Sequence, residues 1–184
     1  KVSDLEFAVE TAKAWKAAGV RTTIFSYPRY DDGPTKNLPV ITPKFLSEYF
    51  NAFNGITSGT DISELNFNPY SFSALNQFVQ ARLLFDVRAD VAALTREFCA
   101  FAYPGAEKET AEFHDVMENL YRQRKSVALD PFVDIYDAAN LEKPMRLLDE
   151  AKKKSPGSAL LEKLHADFKE VFKKSQDSKG KSAE

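Results

Sequence analysis

One short stretch of the chain combines aromatic, basic and acidic side chains in the manner of a sugar-binding site. It contains Tyr27, Arg29 and Tyr30, followed by Asp31 and Asp32. Aromatic faces stack on the CH groups of sugars, whereas arginine and aspartate hydrogen-bond to hydroxyls or to a carboxylate. The same residues also suit an ordinary solvated loop, because prolines and a glycine surround them.

A second stretch, "GTDISELN", places Asp61 and Glu64 close to the end of a predicted strand. Two carboxylates at such a position could act as a general acid and its partner. Acidic residues are also common in loops, and Glu64 could equally cap the segment that follows. Sites of parallel α/β folds lie beyond the carboxyl ends of strands, so both stretches are candidates for substrate binding.

The other residues with catalytic potential stand alone. His114 and His165 each lie on a predicted helix without a metal-ligating companion, and we expect them at the edges of apolar stripes. Cys99 lies between Phe98 and Phe101, which indicates a thiol in the core. Dinucleotide-binding, P-loop, nucleophile-elbow and zinc-protease motifs are absent from the sequence. We therefore predict no metal and no cofactor.

Composition limits the classes of partner. The 184 residues are 43% hydrophobic and 28% charged, which permits a packed core. The net charge of −2 provides no bulk attraction to nucleic acid or to an anionic membrane. The longest apolar runs fall short of the ~20 residues of a membrane span. Nucleic acid and membrane are therefore not expected partners.

The first third of the chain predicts alternating helices and strands. A helix begins after Ser3 and ends at Gly19, with Trp15 on its apolar stripe and hence in the core. A β-branched and aromatic strand, 20–27, follows. Thr42 then caps a helix that has Pro43 in its first turn, and "ITSGTDI" is a second short strand. A strand, a helix and a strand in this order predict parallel pairing.

The stretch "LNQFVQARLLFD", 75–86, predicts a helix that is apolar almost all round. Such a helix is either buried from both sides or self-associates through its apolar surface. Everything after it reads as helical, with breaks at Pro131 and Pro144 and a disordered polar tail over 175–184. The expected organisation is a segment of α/β type over 1–86, a helical region over 87–174 and that tail.

The order of these signals resembles the C-terminal part of a glycoside-hydrolase-like family of unknown function, related to α-glucuronidases and β-hexosaminidases. The motifs that carry the resemblance are "FSYPRY", "LPVITPKFLSEYFNAFNGITSG", "LNQFVQARLLFD" and "VAALTREFCAFAYPGA", followed by "RLLDEAKKKSPGSALLEKLHADF". Phe85 stands where the family usually has tryptophan, and Pro104 replaces a tyrosine before Gly105. The resemblance covers roughly residues 1–170, mostly at packing positions.

The resemblance implies a fold that is mostly α with a small parallel β component, namely the last two β/α units of a TIM-like barrel and a C-terminal helical region. It also implies O-glycosyl hydrolysis in a longer protein, a glycan substrate, upstream barrel strands as partners, and a periplasmic or extracellular location. Its catalytic residues would lie upstream, so we expect the isolated chain to be inactive. The residues expected to bind substrate are Tyr27, Arg29, Tyr30, Asp61 and Glu64. The alternative is a stand-alone helical protein-interaction module without catalysis.

Overall fold

The computed structural model describes residues 4–26, 38–62, 70–124 and 131–181. Helices dominate these ranges, which confirms the expected α-helical character. In chain order the elements are α1 (Asp4–Ala17), β1 (Ile24–Ser26), α2 (Pro43–Phe53), β2 (Thr60–Ile62), α3 (Tyr70–Phe85), α4 (Val91–Ala102), α5 (Glu107–Arg122), α6 (Pro131–Asp134), α7 (Ala138–Lys154) and α8 (Ala159–Lys181).

The prediction of a TIM-like barrel fragment is wrong: the described residues form a helical-bundle-like fold. The two strands have three residues each and pair in parallel with one another, with Ile24 opposite Thr60 and Ser26 opposite Ile62. A barrel of this kind needs about eight strands around a common interior. Here the interior is made instead by helix packing against helix, chiefly α7 on α8, α5 on α7 and α2 on α3.

The core is continuous from α2 to α8. It joins Leu46 and Leu75 from the first half of the chain to Phe113, Leu148 and Phe168 from the second half. Phe113 and Phe168 meet edge to face, with ring centroids 5.1 Å apart. The predicted boundary at residue 86 therefore falls within one hydrophobic core, between two helices that pack on each other.

The local sequence explains the start of α4 and the end of α1. Asp90 caps α4, since its carboxylate accepts hydrogen bonds from the N–H groups of Ala92 and Ala93 at 2.9 and 3.1 Å. Gly19 has φ 78°, the left-handed conformation expected of the residue that follows a helix, and confirms the predicted end of α1.

Two helix ends differ from the prediction. Pro144 was expected to break the chain, but it lies buried inside α7. The helix continues because the apolar neighbours Leu141, Met145 and Leu148 pack in the core on both sides of the proline. The predicted disordered tail also needs correction, since α8 continues to Lys181. Ser175 is buried and donates a hydrogen bond to the Phe172 carbonyl at 2.6 Å, which extends the packed part of α8 beyond Val171.

Candidate functional site

The residues expected to bind sugar fall largely outside the described part of the chain. Tyr27, Arg29, Tyr30 and Glu64 lie outside it, and of Asp61 only the backbone in β2 is described. The described strands end side by side at Ser26 and Ile62, so the two predicted stretches follow neighbouring strand ends in the sequence. A sugar-binding role for the five residues stays a prediction.

A groove of about 350 Å³ lies between α4 and α5, next to the N-terminus of α2. Val91, Ala92 and Ala111 provide its apolar walls, and Thr95 and Arg96 belong to its α4 side. On α5, the lining includes His114, Asp115 and Glu118. We call this feature the α4–α5 groove.

His114 lies beneath the α4–α5 groove, and only 1% of its surface is exposed. Neither ring nitrogen has a hydrogen-bond partner among the described residues. Aromatic rings surround the imidazole: Phe113 at 5.3 Å, Tyr103 at 6.1 Å and Phe98 at 6.3 Å between ring centroids. Burial lowers the pKa of His114 to about 3, so the imidazole is neutral at pH 7 and offers one donor and one acceptor.

Glu118, one helical turn further along α5, is also fully buried, but its carboxylate has hydrogen-bond partners. Its Oε1 accepts hydrogen bonds from the backbone N–H groups of Lys44 and Phe45 at 2.9 and 3.0 Å. These are the first amides of α2, which have no partner within their own helix. Burial is the main cause that raises the pKa of Glu118 above its usual range, and the two amides and nearby Lys44 counteract it. Glu118 is thus the N-terminal cap of α2, supplied from a distant part of the chain.

Ion pairs occupy most of the charged side chains at the rim of the α4–α5 groove. Lys44 pairs with Asp115, and Glu112 accepts from Lys143 at 2.7 Å. Arg122 binds Glu48 at 2.8 Å and approaches Glu118 at 4.0 Å. The groove therefore has apolar walls and rim charges that are mostly paired, and among the described residues no ion pair involves its lining residue Arg96.

Two further polar groups lie beside His114 in the core. Tyr103 is fully buried, and its hydroxyl has no partner among the described residues. Cys99 is fully buried as well, and burial raises the pKa of its thiol to about 11. The thiol is therefore protonated at neutral pH and is a poor nucleophile, which agrees with the expected core role.

The described residues contain no group of three potential metal ligands. A neutral imidazole with a strongly lowered pKa is a poor general acid at neutral pH, and the described carboxylates of the α4–α5 groove are held by amides or cations. At neutral pH the described side chains of the groove therefore do not favour proton transfer.

A second surface feature belongs to α1. None of the described side chains of this helix is buried, and its large aromatics Phe7 and Trp15 are 68% and 54% exposed. With Thr11 between them they follow i, i+4, i+8 spacing and form one stripe, which we call the α1 stripe. The opposite side of α1 faces the bundle, where Leu5, Val9 and Ala12 are half-buried.

His114 and Trp15 both lie in environments that differ from those predicted. Trp15 was predicted in the core, but the structure exposes it, because the half-buried face of α1 lies on the other side of the helix. His114 was predicted at a stripe edge but is buried. The sequence contains a pattern that indicates burial of His114. Thr110, His114 and Glu118 follow one another at intervals of four residues, next to the apolar residues Phe113 and Met117 on the same helix. All five residues are buried.

Comparisons with protein-family models, with curated proteins and with solved structures find no match for this chain. The glycoside-hydrolase-like resemblance therefore remains a prediction. In the described ranges, no helix combines the length and the apolar character needed to cross a lipid bilayer.

Proposed function

We propose that the chain is a helical protein-interaction module that self-associates through the α1 stripe. The observation that carries this proposal is the exposure of Phe7 and Trp15 on a helix that presents its other face to the bundle. Burying one large apolar side chain contributes about 1.5–3 kcal/mol, so two exposed aromatics on one stripe favour a covering surface.

The occupant that best fits the α1 stripe is the same helix of a second copy, in antiparallel orientation. A two-fold axis near Thr11 brings Phe7 of one copy opposite Trp15 of the other, because both lie four residues from that centre. The helix is about 21 Å long at 1.5 Å per residue, so both aromatic contacts fit along it.

Self-association can be measured by sedimentation velocity over a range of protein concentrations. We expect a reversible dimer, and a weak one, because one helix pair buries less than the ~1,600 Å² of a standard interface. Trp15 is the only tryptophan, so its emission should shift to shorter wavelength as the dimer forms. A chain that stays monomeric throughout, with unchanged Trp15 emission, would contradict the proposal.

Substitutions distinguish specific association through the α1 stripe from non-specific hydrophobic association. Phe7→Ser should raise the dimer dissociation constant roughly tenfold or more, given the free energy of burying a phenylalanine. Phe101→Ser is the matched control, because Phe101 is 89% exposed on α4, outside the α1 stripe. Equal weakening by both substitutions would exclude α1 as the specific interface.

A further inference from the structure

We infer that Asn54 is a modification site, at which the side-chain amide is converted into a carboxylate without an enzyme. The backbone nitrogen of Gly55 attacks Cγ of Asn54, a new C–N bond closes a cyclic imide, and the side-chain nitrogen leaves as ammonia with the Gly55 amide proton. Water then opens the imide at either carbonyl and leaves aspartate, or isoaspartate with the main chain running through Cγ. The inference does not depend on self-association through the α1 stripe.

The first argument is the accessibility of the reacting atoms. Asn54 and Gly55 form the only Asn-Gly pair in the chain. A side chain on the second residue would crowd the attacking nitrogen, whereas glycine leaves it accessible and permits most backbone angles. Both residues are exposed, and no atom lies within 4 Å of the position that a Cβ at residue 55 would take. The amide, the attacking nitrogen and the water that follows are therefore unobstructed.

The second argument is the backbone conformation, because the pair forms a turn directly after α2. Asn54 has φ −59° and ψ 127°, Gly55 has φ 70°, and the Ile56 N–H donates to the Phe53 carbonyl at 3.0 Å. These angles are those of a type II turn, in which the third residue has a positive φ that glycine adopts readily. Asn54 and Gly55 therefore lie in an exposed bend rather than in a helix.

The third argument is that the peptide group between Asn54 and Gly55 can rotate. In the type II turn its nitrogen points away from the Asn54 side chain, so attack requires this one peptide plane to turn. Among the described residues, neither the Asn54 carbonyl nor the Gly55 N–H has a hydrogen-bond partner. The Ile56 N–H and the Gly55 carbonyl, which accepts from the Lys16 ammonium, belong to the next peptide group. The rotation that interconverts type II and type I turns therefore breaks neither of these bonds.

Asn51, three residues earlier on α2, shows the contrasting case. Its side-chain nitrogen donates to the carbonyls of Ser47 and Val87, at 2.9 Å each. Its own carbonyl accepts from the Asn54 N–H at 3.2 Å, so the peptide group that follows Asn51 is held in the helix. The fold thus protects Asn51 and leaves Asn54 reactive.

Conversion of Asn54 places a carboxylate where α1 meets α2. Asn54 and Gly55 border a groove of about 220 Å³ whose walls include Tyr49, Phe53 and Leu84. The product adds one negative charge to this groove at the C-terminal end of α2, where the helix dipole disfavours an anion. The converted chain is therefore a chemically distinct form of the protein.

Incubation of the full chain in mildly alkaline buffer tests the inference, with circular dichroism to show that the chain stays folded. Isoelectric focusing detects the new acidic species, and peptide mass spectrometry locates the converted residue. We expect Asn54 to be converted before any other asparagine. Asn54→Gln should lose the acidic species, because glutamine would have to close a larger ring.

A matched control uses the same dipeptide in a helix. Ala52→Gly creates a second Asn-Gly pair at 51–52, inside α2. In the folded variant we expect Asn54 to be converted while Asn51 stays intact, because only the peptide group after Asn54 is free to rotate.

Two results would overturn the inference. One is an intact Asn54 after an incubation that converts a free peptide with the sequence of residues 51–57. The other is equal conversion of Asn51 and Asn54 in the folded Ala52→Gly variant, which would show that the dipeptide, and not the turn, determines the reactivity.

Discussion

His114 links the stability of the protein to pH, because the fold holds its imidazole uncharged. Burial lowers the pKa from 6.5 to about 3. Between these two values the unfolded chain binds a proton that the folded chain does not. The free energy of unfolding therefore decreases as the pH falls from about 6.5 toward 3. At ~1.36 kcal/mol per pH unit, this linkage amounts to about 5 kcal/mol over the whole interval.

Replacing His114 by phenylalanine should remove this linkage. Between pH 7 and pH 4 we expect the variant to lose about 3 kcal/mol less stability than the wild-type protein. Urea unfolding at pH 7, 5.5 and 4 measures the difference, and comparing the two proteins cancels the carboxylates that both contain. Parallel stability curves would show that His114 is not held neutral in the fold.

At the residue scale, the sequence predicts the chemical character of a side chain better than it predicts whether that side chain is buried or exposed. The thiol of Cys99 was expected in the core and lies there, because apolar neighbours on both sides in a helix leave few alternatives. The sequence also predicts Trp15 in the core, but its side chain is exposed. The difference depends on which face of a helix meets the rest of the molecule, and helical periodicity alone does not determine that.

At the scale of elements, α2 illustrates a cap that local sequence does not reveal. Thr42 has the expected position for an N-cap, but its side chain makes no capping hydrogen bond. Its own N–H donates to the Asn76 side chain at 2.9 Å instead, and Glu118 accepts the following amides. A partner 74 residues away from Lys44 cannot be found by a spacing rule.

Removing the Glu118 carboxylate should therefore destabilise the protein more than removing the Thr42 hydroxyl. We expect Glu118→Leu to lower the free energy of unfolding by about 2–4 kcal/mol, because two amides lose their buried acceptor. Thr42→Val should cost less than about 1 kcal/mol, since that hydroxyl caps nothing. Urea titration of both variants at pH 7 tests the ranking, and a more severe effect of Thr42→Val would contradict it.

The short strands explain why the architecture differs from the predicted one. Alternating helices and strands predict α/β packing, and that pattern is present between α1 and β2. Two strands of three residues supply little surface for helices to cover. Long amphipathic helices such as α7 and α8 can instead bury their apolar faces against each other, so helix packing decides the fold. Element type follows from local pattern, whereas architecture depends on how much surface each element offers.

The helix α3, which the sequence predicts to be apolar almost all round, also has a mixed environment. Leu75, Val79 and Leu83 on α3 are buried, whereas Leu84 and Phe85 at its end are exposed, Phe85 by 96%. Self-association through this helix stays an untested expectation. We favour the α1 stripe because the central part of α3 is already covered by α2, α4 and α8.

At the scale of the whole molecule, Cys99 reports on opening of the bundle. Its thiol is fully buried, and its pKa of about 11 leaves little thiolate at pH 8. A thiol reagent should therefore modify the folded protein only through opening, at a rate that rises steeply with urea.

The control is the double variant Cys99→Ala, Ala100→Cys. It moves the thiol to position 100, the exposed neighbour on the same helix. We expect this variant to react at least ~100-fold faster in the absence of urea, if opening is a rare event. Equal rates of modification at positions 99 and 100 would show that the core around α4 is open to the reagent.

The position of α8 also shapes how the protein forms during synthesis. Ser71, at the start of α3, donates a hydrogen bond to Asp167 on α8 at 2.5 Å, and α8 leaves the ribosome after all the other described helices. Until then the buried face of α3 and the ring of Phe113 lack their final cover. Nascent chains therefore carry exposed apolar surface from the synthesis of α3 until α8 has emerged, which makes this stage vulnerable to aggregation and suited to chaperone binding.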